Sequence, residues 1–247
     1  MPLEAASGIR IDNVHLQRGS SSVFADLSLH LTEPRIGLIG DNGAGKSSLF
    51  RLLCALDAPK SGSVTVQGHN LHTERRPGLV GMMFQSPDDQ IIFPTVEEEL
   101  ALSLQPQGLS RADALAKARL FLEQRGLTAW AARAISSLSQ GQRQHVCWLA
   151  LLIAAPQVLL LDEPFASLDL PGQALLDADI AQAGQQVLVS THILSHVRGF
   201  ARVLWLEQGR VRMDGPGAQV CAAYEADVAQ RMAVRLGGLS AQEQARG

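Results

Sequence analysis

The 247-residue chain is 46% hydrophobic and 18% charged, with a formal net charge of −3, the balance of a globular protein with a buried core and not of a disordered one. Its cations are scattered along the chain, adjacent only at Arg75–Arg76, which argues against nucleic-acid binding, because phosphate contacts need clustered cations. Cys54, Cys147 and Cys221 lie far apart without CxxC or Cys/His spacing, so neither a disulfide framework nor a zinc site is expected to organise the fold.

The opening MPLEAASGIR has no basic region followed by an apolar core, so no signal peptide is read there and a cytoplasmic protein is expected. Ile9–Val14 and Val23–Leu31 carry the β-branched, alternating pattern of an N-terminal hairpin. Arg35–Gly40 is a short apolar strand ending in glycine, and Lys46–Leu56 places Leu49, Leu52 and Leu53 on one helical face. Ser63–Gln67 and Leu79–Phe84 are predicted strands. From Thr95 the period becomes helical, over Val96–Leu104 and then Ser110–Arg125, with Ser110 as N-cap and Gly126 as the stop. The best membrane-span candidate, Val146–Leu161, is broken by Pro156 and Gln157 and falls short of the roughly 20 apolar residues needed.

Val158–Leu161 and Val187–Ser190 are continuous apolar runs of buried-strand length. Arg202–Glu207 and Val211–Met213 form a hairpin turned at Gln208–Gly209, and one more helix and a polar tail follow Gly217. Strands alternating with helices predict an α/β fold with a mixed, mainly parallel sheet, an N-terminal antiparallel β subdomain and an inserted α-helical subdomain. The expected division is 8–217 for the main domain, with its helical subdomain at about 95–155, and 218–247 for the C-terminal helix and tail.

Two motifs carry chemistry. Gly40, Asp41, Asn42, Gly43, Ala44, Gly45, Lys46 and Ser47 match G-x-x-x-x-G-K-[ST] between a strand and a helix, with Ser48 following. Glycines let successive N–H groups turn inward around phosphate oxygens, and the helix adds its positive end. Lys46 would reach the β- and γ-phosphates, and the Ser47 hydroxyl would ligate Mg²⁺. Val158–Leu161 then delivers Asp162 and Glu163 to the same crevice at the end of a central strand. Asp162 would hold the Mg²⁺ shell, and Glu163 would polarise the attacking water.

Between these sites, Leu138-Ser139-Gln140-Gly141-Gln142 resembles the LSGGQ signature of ATP-binding cassette proteins. That resemblance implies an ATP- and Mg²⁺-dependent P-loop ATPase. In it the Ser139 and Gly141 backbone, at a helix N-terminus, binds the γ-phosphate held by an opposite subunit. It further implies that Gln85 is a Mg²⁺ and water sensor, His192 a γ-phosphate contact, and Asp169 part of a loop crossing a homodimer. Gln140 departs from the usual glycine. Arg18 stands where the family places an adenine-stacking aromatic, and a guanidinium can also stack on a base. His192 and His196 are four residues apart, but without a Glu partner they are not read as a zinc pair.

The stretch Phe84-Gln85-Ser86-Pro87-Asp88-Asp89-Gln90, followed by Phe93-Pro94-Thr95-Val96-Glu97-Glu98-Glu99, is similar to the ATPases of energy-coupling-factor transporters, which import vitamins and cobalt or nickel ions. The resemblance is greatest to the single-ATPase biotin importers, with cobalt or nickel systems next and a non-transport cassette ATPase as the other alternative. It implies an integral membrane coupling subunit, a substrate-binding membrane subunit and a place on the cytoplasmic face of the membrane. Asp88, Asp89 and Glu97–Glu99 would then make an acidic groove for partner arginines; the run also suits a solvated helix N-terminus favoured by the macrodipole, and both readings can hold at once.

Overall fold

A computed structural model of the protein describes residues 8–74 and 76–244. The first layer follows from alternation: Ile9, Ile11, Val14 and Leu16 of β1 (Ile9–Arg18) all point inward and are buried. Strand β1 pairs antiparallel with β2 (Ser21–Leu31) on one side and with β4 (Ser61–Val66) on the other, giving a three-stranded sheet in the order β2-β1-β4. The predicted hairpin is therefore two thirds of a small sheet.

The second sheet has six strands in the order β5-β6-β7-β3-β8-β9, formed by β5 (Val80–Met83), β6 (Val158–Asp162), β7 (Gln186–Ser190), β3 (Arg35–Ile39), β8 (Arg202–Glu207) and β9 (Arg210–Gly215). All neighbours are parallel except β8 and β9. Every residue of β6 and β7 is buried, as expected for strands covered on both faces. The β8–β9 turn has positive φ at both Gln208 (48°) and Gly209 (73°), the twist a tight hairpin needs. A Cβ on Gly209 would stand 1.7 Å from the Val23 carbonyl oxygen, so only glycine lets this turn meet β2.

Helix α1 (Lys46–Leu53) ends earlier than its leucine spacing suggests. The Leu56 and Asp57 amides fold back to the Arg51 carbonyl, and this turn satisfies the last carbonyls in place of a further helical turn. Three helices, α2 (Val96–Leu102), α3 (Arg111–Glu123) and α4 (Gln140–Ala154), enclose an apolar cluster of their own, built on Val96, Leu100, Ala118, Leu122, Val146 and Leu149. Ser110 caps α3, its hydroxyl accepting from the Asp113 amide at 3.2 Å, and Gly126 follows with φ 69°. Helix α5 (Leu170–Gln182) follows β6, and α6 runs unbroken from Gly217 to Gln244, longer than the helix-plus-tail reading; residues 245–247 lie outside the described residues. Val220 and Cys221 anchor α6 in the core, and Tyr224 stands edge-on to Trp205 at 5.2 Å. No helix among the described residues is long and apolar enough to cross a membrane.

In this strand order the C-terminal ends of β3, β6 and β7 lie side by side. The residues just beyond them, Gly40, Asp162–Glu163 and Ser190–His192, therefore share one edge of the sheet.

Candidate nucleotide site

At the end of β3 the backbone turns sharply. Gly40 has φ 142°, and a Cβ there would lie 2.1 Å from the Leu206 carbonyl oxygen. The loop closes with the Ala44 amide on the Asp41 carbonyl at 3.1 Å. Gly45, with φ 110°, is the left-handed N-cap of α1. The first amides of α1 have no intrahelical partners, and the helix dipole makes this end positive. Lys46 is only 8% exposed, and its ammonium donates to the carbonyl oxygens of Gly40 (2.7 Å) and Asp41 (3.3 Å).

A cleft of about 780 Å³ opens above this loop, lined by Arg18, Asn42, Gly43, Gly45, Lys46, Ser47, Ser48, Gln85, Asp162, Glu163 and His192. Two residues expected at the cradle are turned elsewhere. Ala44 is buried in the core, and the Asp41 carboxylate faces α6. Arg18 lines the cleft but is ion-paired to Asp57, which Arg51 also holds, at 3.0 Å. Its guanidinium is thus anchored beside the cleft.

Asp162 and Glu163 are 6% and 9% exposed. Glu163 adopts φ 49°, a left-handed conformation that a glutamate takes only when its surroundings hold it there. Its amide donates to the Ser190 carbonyl at 2.9 Å. Its Oε2 accepts from the His192 amide at 3.2 Å and lies 2.7 Å from His192 Nδ1. A carboxylate oxygen accepts, so in this pair the ring Nδ1–H is the donor. His196 turns away, stacked on Phe165 at 3.7 Å with its Nδ1 2.7 Å from Asp177, so the two imidazoles do not converge.

The signature residues lie on another surface. Ser139 caps α4 in a reciprocal box: its hydroxyl accepts from the Gln142 amide at 3.2 Å, and Gln142 Oε1 accepts from the Ser139 amide at 3.1 Å. Asp169 caps α5 through the Gly172 amide at 3.0 Å. Ser139, Gln140, Gly141, Gln142 and Asp169 line a second cleft, of about 720 Å³, that shares no residue with the first. The expected triphosphate cradle and the expected γ-phosphate contacts therefore line different clefts of one chain.

Most of the acidic run is held by local partners. Glu97 is held by Arg119 at 2.7 Å, and Glu98 accepts from the Thr95 hydroxyl at 2.7 Å and pairs with Arg111 at 3.4 Å. Asp88 pairs with Arg143 at 3.3 Å. Glu99 is 4% exposed and accepts the Ile92 and Phe93 amides at 2.9 and 2.8 Å. Of the five acids only Asp89 has no partner among the described residues. The run chiefly builds the loop and helix, because each carboxylate finds a local donor. Sequence reasoning also missed Tyr224 and Arg231, which grip Asp41.

Residues 24–166 match the family model described as ABC transporter. The biotin transport ATP-binding protein BioM of Rhodobacter capsulatus is 48% identical over 218 residues, covering 87% of this chain and 93% of that protein. The energy-coupling factor transporter ATP-binding protein EcfA1 of Lactiplantibacillus plantarum is 36% identical over 200 residues, covering 77% and 70%. In fold, CbiO1 of Clostridium perfringens, part of the ABC transporter complex CbiONQ, superposes with a TM-score of 0.74 at 22% identity, covering 94% of this chain and 96% of that one. With a glycine-rich loop at a helix N-terminus, two buried acids beside it and this likeness along most of its length, the chain belongs to the ABC transporter family, as an ATP-hydrolysing subunit.

Proposed function

We propose that this chain is the ATPase subunit of an energy-coupling-factor importer and that the solute it energises is biotin. The observation that carries this is the 48% identity to BioM across nearly the whole of both chains. The likeness to EcfA1 supports the transporter class. Residues 8–217 would form the catalytic unit, with about 95–155 as its moving helical part and 218–244 as a C-terminal helix. The chain would work on the cytoplasmic face of the membrane, bound to an integral coupling subunit and a substrate-binding membrane subunit.

Two copies would close head to tail. The two clefts share no lining residue, which fits Ser139 and Gly141 meeting a γ-phosphate over Lys46 from a second copy. Gln140 and Gln142 would border that contact, and Asp169 would approach the partner's loop. ATP bridging the interface would stabilise the closed dimer by mass action.

Within each site the amides of Asn42, Gly43, Gly45, Lys46, Ser47 and Ser48 would bind the phosphates, with Ala44 and Asp41 shaping the loop from behind. Arg18 would border the base. The residues fit a divalent ion: the Asp162 carboxylate faces the cleft beside Ser47 and Gln85 and has no hydrogen-bond partner among the described residues. Bound with the nucleotide, Mg²⁺ would neutralise charge on the β- and γ-phosphates. Glu163 would accept a proton from the attacking water, with His192 fixing its carboxylate and presenting the ring toward the γ-phosphate. Gln85 would report the bound state to the helical part.

The test is purification of a tagged Glu163→Gln chain from its native membranes in mild detergent with ATP. Two copies of the chain with two small membrane proteins and bound biotin are expected. A soluble partner, or none, would overturn the importer reading.

A further inference from the structure

The first variable residue of the phosphate loop is an aspartate, which puts a negative charge on the back of a loop read as a cradle for a polyanion. Asp41 does not face water alone. The Tyr224 hydroxyl donates to its Oδ1 at 2.7 Å, and the Arg231 guanidinium reaches both oxygens, at 2.5 and 3.3 Å. All of these groups come from α6, more than 180 positions along the chain. They are themselves held. Asp227 pairs with Arg231 at 2.7 Å and with Arg212 at 2.6 Å, and Arg212 lies 4.2 Å over the Trp205 ring, against which Tyr224 packs. Val220 and Cys221 root the helix in the core one to three turns earlier.

From this arrangement we infer that α6 is a strap whose Arg231 and Tyr224 neutralise and position Asp41, so that the loop accepts the triphosphate of ATP despite its carboxylate. Both are positioning residues: they touch Asp41 of the loop and do not line the cleft. The inference rests on the reading of residues 40–48 as the phosphate cradle. The groups facing Asp41 are Arg231 and Tyr224 from α6 and Lys46 from α1, whose charge also acts on it. Arg231 and then Tyr224 hold the Asp41 carboxyl below the usual range, and burial together with Asp41 pushes the Tyr224 hydroxyl up to about 12. Arg231 and Tyr224 are thus the partners that balance this carboxylate.

The test is equilibrium binding of a fluorescent ATP analogue to the purified full chain, for Arg231→Gln, Asp41→Asn and the double variant, at low and high salt. Removing Arg231 is expected to raise Kd about 5-fold at low salt, and less at high salt, because an exposed charge acts through a screened Coulomb field. In the Asp41→Asn background the same Arg231→Gln change is expected to shift Kd by less than about 2-fold. Equal losses in both backgrounds would mean that α6 supports the fold alone and would overturn the inference, as would no loss in either. Tyr224→Phe, which keeps the packing on Trp205, is expected to weaken binding in the same Asp41-dependent way. Lys46→Ala separates the two readings. If it binds ATP normally the cradle assignment fails, whereas loss with Lys46→Ala and no effect of Arg231→Gln removes only the strap.

Discussion

Three consecutive glutamates at the start of α2 should behave very differently when truncated. Glu99 is 4% exposed, and one carboxylate oxygen accepts both the Ile92 and Phe93 amides, at 2.9 and 2.8 Å. Glu99→Ala strands these two partly buried donors and loses a charge-assisted acceptor. At about 1–2 kcal/mol for each donor, the cost is about 2–4 kcal/mol. For a domain of this size, at about 2–4 °C per kcal/mol, Tm should fall by about 5–15 °C. Glu99→Gln keeps an acceptor and should lose about half as much. By contrast, Glu97 pairs with an arginine that reaches it from the surface, Arg119 being 60% exposed and Glu97 14%. Glu97→Gln should therefore move stability by less than about 1 kcal/mol. Calorimetry or urea unfolding of the three variants checks this. A Glu99→Ala chain within about 1 kcal/mol of wild type would refute the view that this carboxylate holds the 90–95 loop.

Other outcomes follow from the same structure. Glu163→Gln should reduce kcat about 10²–10⁴-fold, the usual span for losing a general base, while ATP still binds and shifts the chain to a dimer on size exclusion; a variant that stays monomeric with ATP would contradict the two-copy site. Burial holds the His145 imidazole, edge-on to Trp130, below the ordinary histidine range. The unfolded chain then binds this proton more readily, so stability should decline as pH falls through about 6.5. His145→Gln should flatten that part of a chemical-denaturation profile. Burial also pushes the Cys54 and Cys147 thiols up to about 12, so neither should react appreciably with iodoacetamide at neutral pH unless the chain is unfolded.

The position of the candidate nucleotide site was legible because its sequence pattern is local. Gly40–Ser47 and Asp162–Glu163 are short contiguous runs whose placement needs only a strand before them, and β3 and β6 are where their apolar residues indicate. Ser110 read correctly as a cap, since a cap bonds within three residues. What escaped depends on long-range partners. Arg18 meets Asp57 across 39 positions, and Asp41 meets Arg231 across 190. Helix α5 was not marked because its apolar pattern is poor: Leu170 and Leu175 are exposed while Leu176 and Ile180 carry its packing. The acidic run was read by composition, and only the folded loop reveals that Glu99 points inward to two amides while its neighbours find arginines.

The central claim is that this chain spends ATP to move biotin across a membrane. Uptake of radiolabelled biotin by cells lacking the chain, complemented with wild type or with Lys46→Ala, tests it most directly. High-affinity uptake restored by wild type and absent with Lys46→Ala is the predicted result. Undiminished uptake in cells without the chain, or equal uptake with Lys46→Ala, would contradict it.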